Sequence, residues 1–442
     1  MSQFIQKKLT SFQIIIFGFL GVILLGTFFL MLPVSNQSGS GASFLDALFT
    51  STSAVCVTGL ILHDTATYWS TFGQLVIMIL IQIGGMGVIT VAASFAMISG
   101  RKISLMQRST MQEAIAAPKV GGIVRLTGFI VKTTLLVEML GAVIMAPIFC
   151  RDFGIRGLWM ALFHSVSAFC NAGFDLMGTK EKFSSLTGYA ADPVINLTIM
   201  SLIIVGGIGF LTWDDIQANR LHLRKYRMQS KVILCTSAVL LIVPALYFYF
   251  CEFAALTPGK RVLSSLFQSV TPRTAGFNTM DLTNISGAGQ AIIIVLMLIG
   301  GSPGSTAGGM KTTTVAVLFA TAISTFFRKE HTHFFGRRID DNVVKNAATI
   351  LLMYLVLFFF GGLAISIVEG LPMYSCLFET ASAVGTVGLS LGITPELGVL
   401  SKMILILLMF FGRVGGLTLI FAAVSGTQKQ AAKLPKEKIT VG

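Results

Sequence analysis

Long apolar stretches separated by short polar ones set the pattern of this chain. Eight of them, 14–32, 75–98, 127–149, 194–211, 232–250, 291–327, 347–367 and 399–424, approach or exceed the ~20 residues a helix needs to cross a bilayer. The sixth is too long for one crossing and is interrupted by the glycine-rich stretch 300–309, which predicts a discontinuous helix. No small-residue cleavage site follows the first stretch, so it is expected to be a retained span. Basic residues gather in alternate connections: Lys7 and Lys8 before the first span; Arg101, Lys102, Arg108, Lys119 and Arg125 after the second; Arg220, Arg224, Lys225, Arg227 and Lys231 after the fourth. Arg328, Lys329, Arg337, Arg338 and Lys345 follow the sixth, and Lys429, Lys433, Lys436 and Lys438 lie in the tail. Lysine and arginine are enriched in cytoplasmic loops, so a cell-membrane protein crossing many times, with both termini in the cytoplasm, is expected.

Each remaining connection holds a further apolar stretch too short to cross, the mark of a re-entrant segment. The four stretches align: FLDALFTSTSAVCVTGL, LWMALFHSVSAFCNAGF, RVLSSLFQSVTPRTAGF and MYSCLFETASAVGTVGL. All have a Leu-Phe pair, a hydroxyl residue two and again four positions on, and then a glycine followed by a bulky apolar residue. The glycines are Gly59, Gly173, Gly276 and Gly388, at spacings of 114, 103 and 112 residues. A second glycine cluster follows each: Gly84, Gly85 and Gly87; Gly206, Gly207 and Gly209; Gly300 and Gly301; Gly412, Gly415 and Gly416. The unit is therefore helix, half-helix, extended loop, helix. Two spans return the chain to its starting side, so all four units share one orientation and enclose a central passage, unlike inverted transporter repeats.

The predicted fold is an all-α membrane protein of eight transmembrane helices, the sixth broken, in four parallel helix–pore-loop–helix repeats with pseudo-fourfold arrangement around one ion pore. The repeats are expected at 1–100, 101–225, 226–340 and 341–425, with a basic cytoplasmic tail at 426–442. Glycine suits the loops, because backbone carbonyls can replace a cation's water shell only if several point inward, through angles that Cβ-bearing residues resist. Half-helix carbonyl ends add partial negative charge that favours a cation. Packing of GxxxG type competes as an explanation for the inner glycine clusters.

Composition agrees. Of 442 residues 54% are hydrophobic and 12% charged, about half the charged share of a soluble domain. The net charge of +13 follows topology and forms no basic groove, so nucleic acid is not an expected partner; Trp69 and Trp213, near span ends, suit interfacial belts. Six cysteines without CxxC pairs give neither a disulfide framework nor metal-ligand spacing, and most are expected as small buried hydrophobes. No Ser-His-Asp set, Walker sequence or dinucleotide fingerprint occurs, so an enzyme is not expected. His164 is expected packed and neutral, Lys132 and Glu138 as partners of one another or of a neighbouring subunit, and Arg273 held behind the loop by a carboxylate such as Glu379.

The four loops, the IGG-type inner motifs and the stretch GGSPGSTAGGMK resemble the Ktr/Trk/HKT superfamily of potassium transporters over nearly the whole chain, and the ending FFGRVGGLT is most similar to its Ktr-type membrane subunits. The resemblance implies a potassium selectivity filter of Val57, Thr58 and Gly59; Asn171, Ala172 and Gly173; Thr274, Ala275 and Gly276; and Thr386, Val387 and Gly388, with potassium as the metal at their carbonyls. One glycine per segment implies weaker discrimination than TVGYG, and glycine rather than serine at position 59 leans towards potassium over sodium. The third loop, one residue shorter and containing Pro272 and Arg273, departs from the others. A gating loop is implied at Gly300, Gly301, Ser302, Pro303, Gly304, Ser305, Thr306, Ala307, Gly308 and Gly309, with Lys311 at its edge, flexible by composition. Arg413, central in its apolar stretch, is expected to face the pore as part of a positive barrier. The resemblance further implies a homodimer in membrane lipid, no covalently bound cofactor, K+ as the transported ion, and a cytosolic regulatory ring of KtrA type that carries ATP or ADP. Two alternatives are a sodium-permeable member and a coupled secondary transporter, for which Glu138 would be the midplane carboxylate.

Overall fold

The computed structural model describes residues 10–99, 103–115, 121–220, 222–416 and 418. Lys7, Lys8, Arg101, Lys102, Lys119 and the tail 426–442 lie outside them.

Among the described residues four helices are long and apolar enough to span: Ser11–Met31, Ile123–Phe153, Met228–Glu252 and Asp341–Glu369. These open the four units and form the outer ring. Their outward faces carry Leu24, Phe28, Met139 and Phe360, more than half exposed, as a lipid-facing surface requires. Behind each follows a half-helix: Phe44–Val55, Arg156–Phe169, Pro258–Val270 and Met373–Gly385. The phenylalanine of each Leu-Phe pair (Phe49, Phe163, Phe267, Phe378) is completely buried and anchors its half-helix in the core.

The inner helices differ from the expectation of a single broken span. Thr71–Met86 and Val88–Ile98 meet at 95°, and Pro193–Gly207 and Phe210–Asn219 at 97°. The third pair, Gly287–Leu298 and Thr312–Phe326, is separated by the glycine-rich loop. The fourth inner helix, Val399–Val414, stops at Gly415. Gly87, Gly209 and Gly415 share a left-handed φ of +86° to +93°, which a helix cannot continue through. Apolar content alone does not register such a stop, so the spans at 75–98 and 194–211 read as continuous. Residues 417 and 419–424 of the expected last span lie outside the described residues.

The first glycine of each cluster has a different task. A methyl group on Gly84, Gly206 or Gly412 would run into the main-chain carbonyl of Val55, Phe169 or Val384, in the last turn of the same unit's half-helix. Packing is thus the reason for these three. Both tryptophans also depart from expectation. Trp69 (1% exposed) and Trp213 (7%) are core residues, the latter donating its indole N–H to Val205 O at 3.0 Å between Phe169 and Phe210. Of the cysteines Cys56, Cys170 and Cys376 are buried, whereas Cys235 and Cys251 are exposed on the third outer helix and its π-helical end.

Overpacking a tight contact costs about 1–3 kcal/mol. Gly206→Ala is expected to lower the unfolding midpoint of the detergent-solubilised protein by several degrees, while Gly128→Ala, with open space around it, leaves the midpoint unchanged. Equal midpoints for the two variants would refute the packing role.

Candidate functional site

The four half-helices all point their carbonyl ends at one place, and the way each helix stops creates the site. At Val57 the backbone turns left-handed (φ +57°), Val57 N–H bonds Ala54 O at 3.1 Å and Thr58 N–H returns to Ser53 O at 2.8 Å. This is a Schellman stop, which satisfies the orphan carbonyls of a helix end. The second and fourth units repeat it with Asn171 (φ +59°) and Thr386 (φ +52°), whose successors Ala172 and Val387 donate to Ser167 O and Ser382 O at 2.8 Å. The third unit, one residue shorter, reaches the same left-handed turn at Thr274 (φ +72°) by a tighter route, with Ala275 and Gly276 both donating to Thr271 O. Glycine usually fills this position; here four residues with side chains hold it, at roughly 1–2 kcal/mol each.

Two residues on, Gly59, Gly173, Gly276 and Gly388 are left-handed again (φ +69° to +91°). Thr58, Ala172, Ala275 and Val387 between them have negative φ, so the sign of φ alternates along each segment. The four segments then close a ring. A methyl group on Gly59 would strike Ala172 O, on Gly173 Ala275 O, on Gly276 Val387 O, and on Gly388 Thr58 O. It would also lie only 2.9–3.3 Å from the Cα of the next glycine in the cycle. Segments up to 329 residues apart in sequence thus surround one axis, with main-chain oxygens from every quadrant beside it.

Sequence reasoning marked the repeated hydroxyls but gave them no role. Ser53 Oγ and Ser382 Oγ each accept the N–H of their ring glycine at 3.0 Å, and Ser167 Oγ and Thr271 Oγ1 donate to Phe174 O and Phe277 O at 2.7 and 2.6 Å. The other hydroxyl row ties half-helices to outer helices: Ser51 to Ile23 O, Ser165 to Glu138 O and Thr380 to Phe358 O. Ser269 turns back on its own helix instead.

The stretch 300–309 lies against the inner end of this ring. Thr306 Oγ1 bonds Phe169 O (3.0 Å) and Asn171 Oδ1 (3.3 Å), and a methyl on Gly308 would strike Thr386 Oγ1. Contrary to its composition, the stretch is pinned. Ser302 N–H donates to Gly207 O, Thr306 N–H to Gly206 O, Gly309 N–H to Gly412 O, and Gly304 O accepts from Phe210 N–H. Lys311 Nζ bonds Ala307 O (2.8 Å) and Gly308 O (3.3 Å). Irregular backbone at this depth is tolerable because it is buried in protein.

Arg413 is not mid-helix as expected but in the last turn of the fourth inner helix. Its guanidinium bonds Thr306 O, Gly84 O and, at 3.2 Å, Gly85 O. It therefore satisfies carbonyls exposed where the first inner helix breaks and fastens that helix to the loop. Arg413 and Lys311 line one cavity of about 360 Å³ beneath the loop, with Met86, Pro303 and Glu113.

Two expected pairings do not form. Glu379 accepts from Ser390 Oγ, Leu391 N–H and Thr394 Oγ1, while Arg273 reaches Ser237 Oγ at 3.3 Å. Glu138 is buried and Lys132 exposed; six residues apart on a helix, they face different ways. His164 is packed as expected, with Nδ1 at 2.7 Å from Met160 O and Nε2 accepting Leu176 N–H, the arrangement of a neutral ring.

A sequence model of the family described as TrkH, Cation transport protein, matches residues 6–432. The chain is 39% identical to the potassium/sodium uptake protein NtpJ of Enterococcus hirae, covering 100% of this chain and 99% of the relative. It is 37% identical to the Ktr system potassium uptake protein B of Bacillus subtilis, covering 98% and 97%. The crystal structure of the potassium transporter TrkH from Vibrio parahaemolyticus has the same fold, with a TM-score of 0.74 at 21% identity over 94% of this chain and 85% of that one.

Removing the Ser53 hydroxyl strands the buried Gly59 N–H, a loss of about 1–3 kcal/mol. Ser53→Ala is expected to unfold earlier in detergent and Ser53→Thr to recover most of the loss. A Ser53→Ala variant as stable as the parent would show that this bond does not hold the ring.

Proposed function

Because the chain belongs to the TrkH family of cation transport proteins, we propose that it is the potassium-conducting membrane subunit of a regulated uptake system. The observation that carries this is the closed ring in which Gly59, Gly173, Gly276 and Gly388 alternate with the carbonyls of Thr58, Ala172, Ala275 and Val387. A dehydrated monovalent cation needs several oxygens in place of its water shell, and main-chain oxygens at the negative ends of four half-helices provide them. The filter comprises these residues with Val57, Asn171, Thr274 and Thr386. Stretch 300–309, held by Arg413 and Lys311, is the gate: it obstructs the inner end of the filter and adds positive charge there.

Several further features belong to the same reading: both termini in the cytoplasm of a cell-membrane protein, a homodimer with one pore per protomer, and a KtrA-like ring that binds ATP or ADP and acts on the gate. The names of relatives support the cargo, since potassium is common to them and sodium joins it in one. Sodium permeation is accordingly the second reading. A coupled transporter built on Glu138 is disfavoured because that carboxyl is occupied by Gln82 and Cys170 away from the ring.

In liposomes with opposed potassium and sodium gradients, Gly59→Ser is expected to lower the potassium-to-sodium permeability ratio several-fold. Arg413→Ala is expected to raise flux in the absence of any regulator. An unchanged ratio in the first variant would reject the filter, and unchanged flux in the second would reject the latch. Addition of a purified nucleotide-binding ring with ATP is expected to raise wild-type flux, and no response would count against that partner.

A further inference from the structure

The filter reading gives the buried carboxyl of Glu138 no task. Glu138, 2% exposed in the second outer helix, makes no ion pair among the described residues. Its main-chain oxygen accepts Ser165 Oγ at 2.5 Å, the position taken by Ile23 O in the first unit and Phe358 O in the fourth. The equivalent outer-helix residues in those two units are therefore isoleucine and phenylalanine, whereas here the side chain is polar. Its partner is equally singular. Gln82, two residues before Gly84, corresponds to Ile204 before Gly206 and Phe410 before Gly412. A polar residue inside a membrane protein is costly unless matched, and these two match one another.

Gln82 Nε2 donates to Glu138 Oε2 at 3.2 Å, and Cys170 Sγ lies 3.7 Å from Glu138 Oε1 and 3.8 Å from Gln82 Oε1. Cys170 immediately precedes Asn171, the left-handed residue that starts the second filter segment. Its sulfur packs against the inner helix at Gly85, where a methyl would come within 2.5 Å of it. The contacts close a circuit. Arg413 holds Gly84 and Gly85 just past Gln82; Gln82 holds Glu138; Glu138 holds Cys170; Asn171 bonds Thr306; and Thr306 O returns to Arg413.

We propose that Glu138 is a positioning residue for the second filter segment, acting through its hydrogen bonds to Gln82 and Cys170 rather than through charge, and that this matched pair sets how strictly the filter distinguishes potassium from sodium. The proposal rests on the filter reading. Glu138 never meets the ion. It fixes the segment that carries Asn171 against the inner helix that Arg413 grips.

The test measures potassium-to-sodium permeability ratios in liposomes for Glu138→Leu, Gln82→Leu, the double variant and Glu138→Gln, with Gly173→Ser as the filter control. Either leucine variant is expected to lower the ratio about three- to tenfold, the equivalent of one lost buried hydrogen bond. The double variant should be no worse than the singles, since both remove the same bond. Glu138→Gln, which keeps the shape and an acceptor for Gln82, should stay within about twofold of wild type. If Glu138→Leu fails to assemble, Gln82→Leu removes the bond from the other side. A ratio unchanged by Gln82→Leu, or lowered equally by Glu138→Gln and Glu138→Leu, overturns the proposal while Gly173→Ser still shifts the ratio. If Gly173→Ser leaves it unchanged too, the filter reading itself has failed.

Discussion

How a helix ends is the constraint on which this structure depends. An α-helix leaves its last carbonyls unpaired, and inside a membrane no water is available to pair them. The half-helices solve this with left-handed stops at Val57, Asn171, Thr274 and Thr386 that fold two N–H groups back onto the helix. The same turn launches the chain into the alternation that ends at the ring glycines. Cap and ring are one piece of backbone. The helix ends direct negative potential at the axis, and the chain leaving them supplies the oxygens.

That arrangement dictates much of the surrounding sequence. The stop needs close neighbours, so each inner helix but the third presents a glycine (Gly84, Gly206, Gly412) to a half-helix carbonyl. Outer helices do the same one layer out: methyl groups on Gly26 and Gly141 would meet Ser51 Oγ and Ser165 Oγ. Small residues let the main chain approach, and hydroxyls fill the gap with a bond rather than bulk. Inner helices that come this close do not run on in a straight line past the half-helix tip: Gly87 and Gly209 turn two of them aside, and Gly415 ends the fourth.

The four units were legible because a repeat multiplies weak signals: one glycine after an apolar stretch means little, and four at matched positions mean a shared conformation. Hydropathy found the outer helices, whose apolar runs are continuous, to within a few residues. It failed at Gly87 and Gly209 because a turn is a property of φ and not of transfer energy. The left-handed residues Val57 and Thr386 gave no signal at all, since β-branched side chains ordinarily avoid that region and only the Schellman bonds compel it. The tryptophans misled for a related reason. Interfacial preference is a tendency of exposed indoles, and Trp213 instead answers a specific orphan, Val205 O, next to a helix break. Arg273 and Glu379 have opposite charge and neighbouring repeats, but each finds local hydroxyl partners, a geometry that sequence does not encode by proximity.

Four unlike repeats in one chain also permit what four identical subunits forbid. Any substitution in a homotetramer acts on every quadrant at once, whereas here single quadrants depart from the common plan. Where the first and second units have Gly85 and Gly207, the fourth has Arg413; where two inner helices turn on a single glycine, the third inserts a ten-residue stretch, 300–309. The two departures touch, since Arg413 bonds Thr306. Had both been fourfold, four guanidinium groups would crowd one cavity and repel one another while four loops competed for the same axis. Placing one of each lets the two meet at Thr306 O while the helix stops of every quadrant keep their own bonds. The near-symmetry that builds the ring and the asymmetry that bears on it are therefore separable, and a chain of this kind can vary the second while the first stays intact.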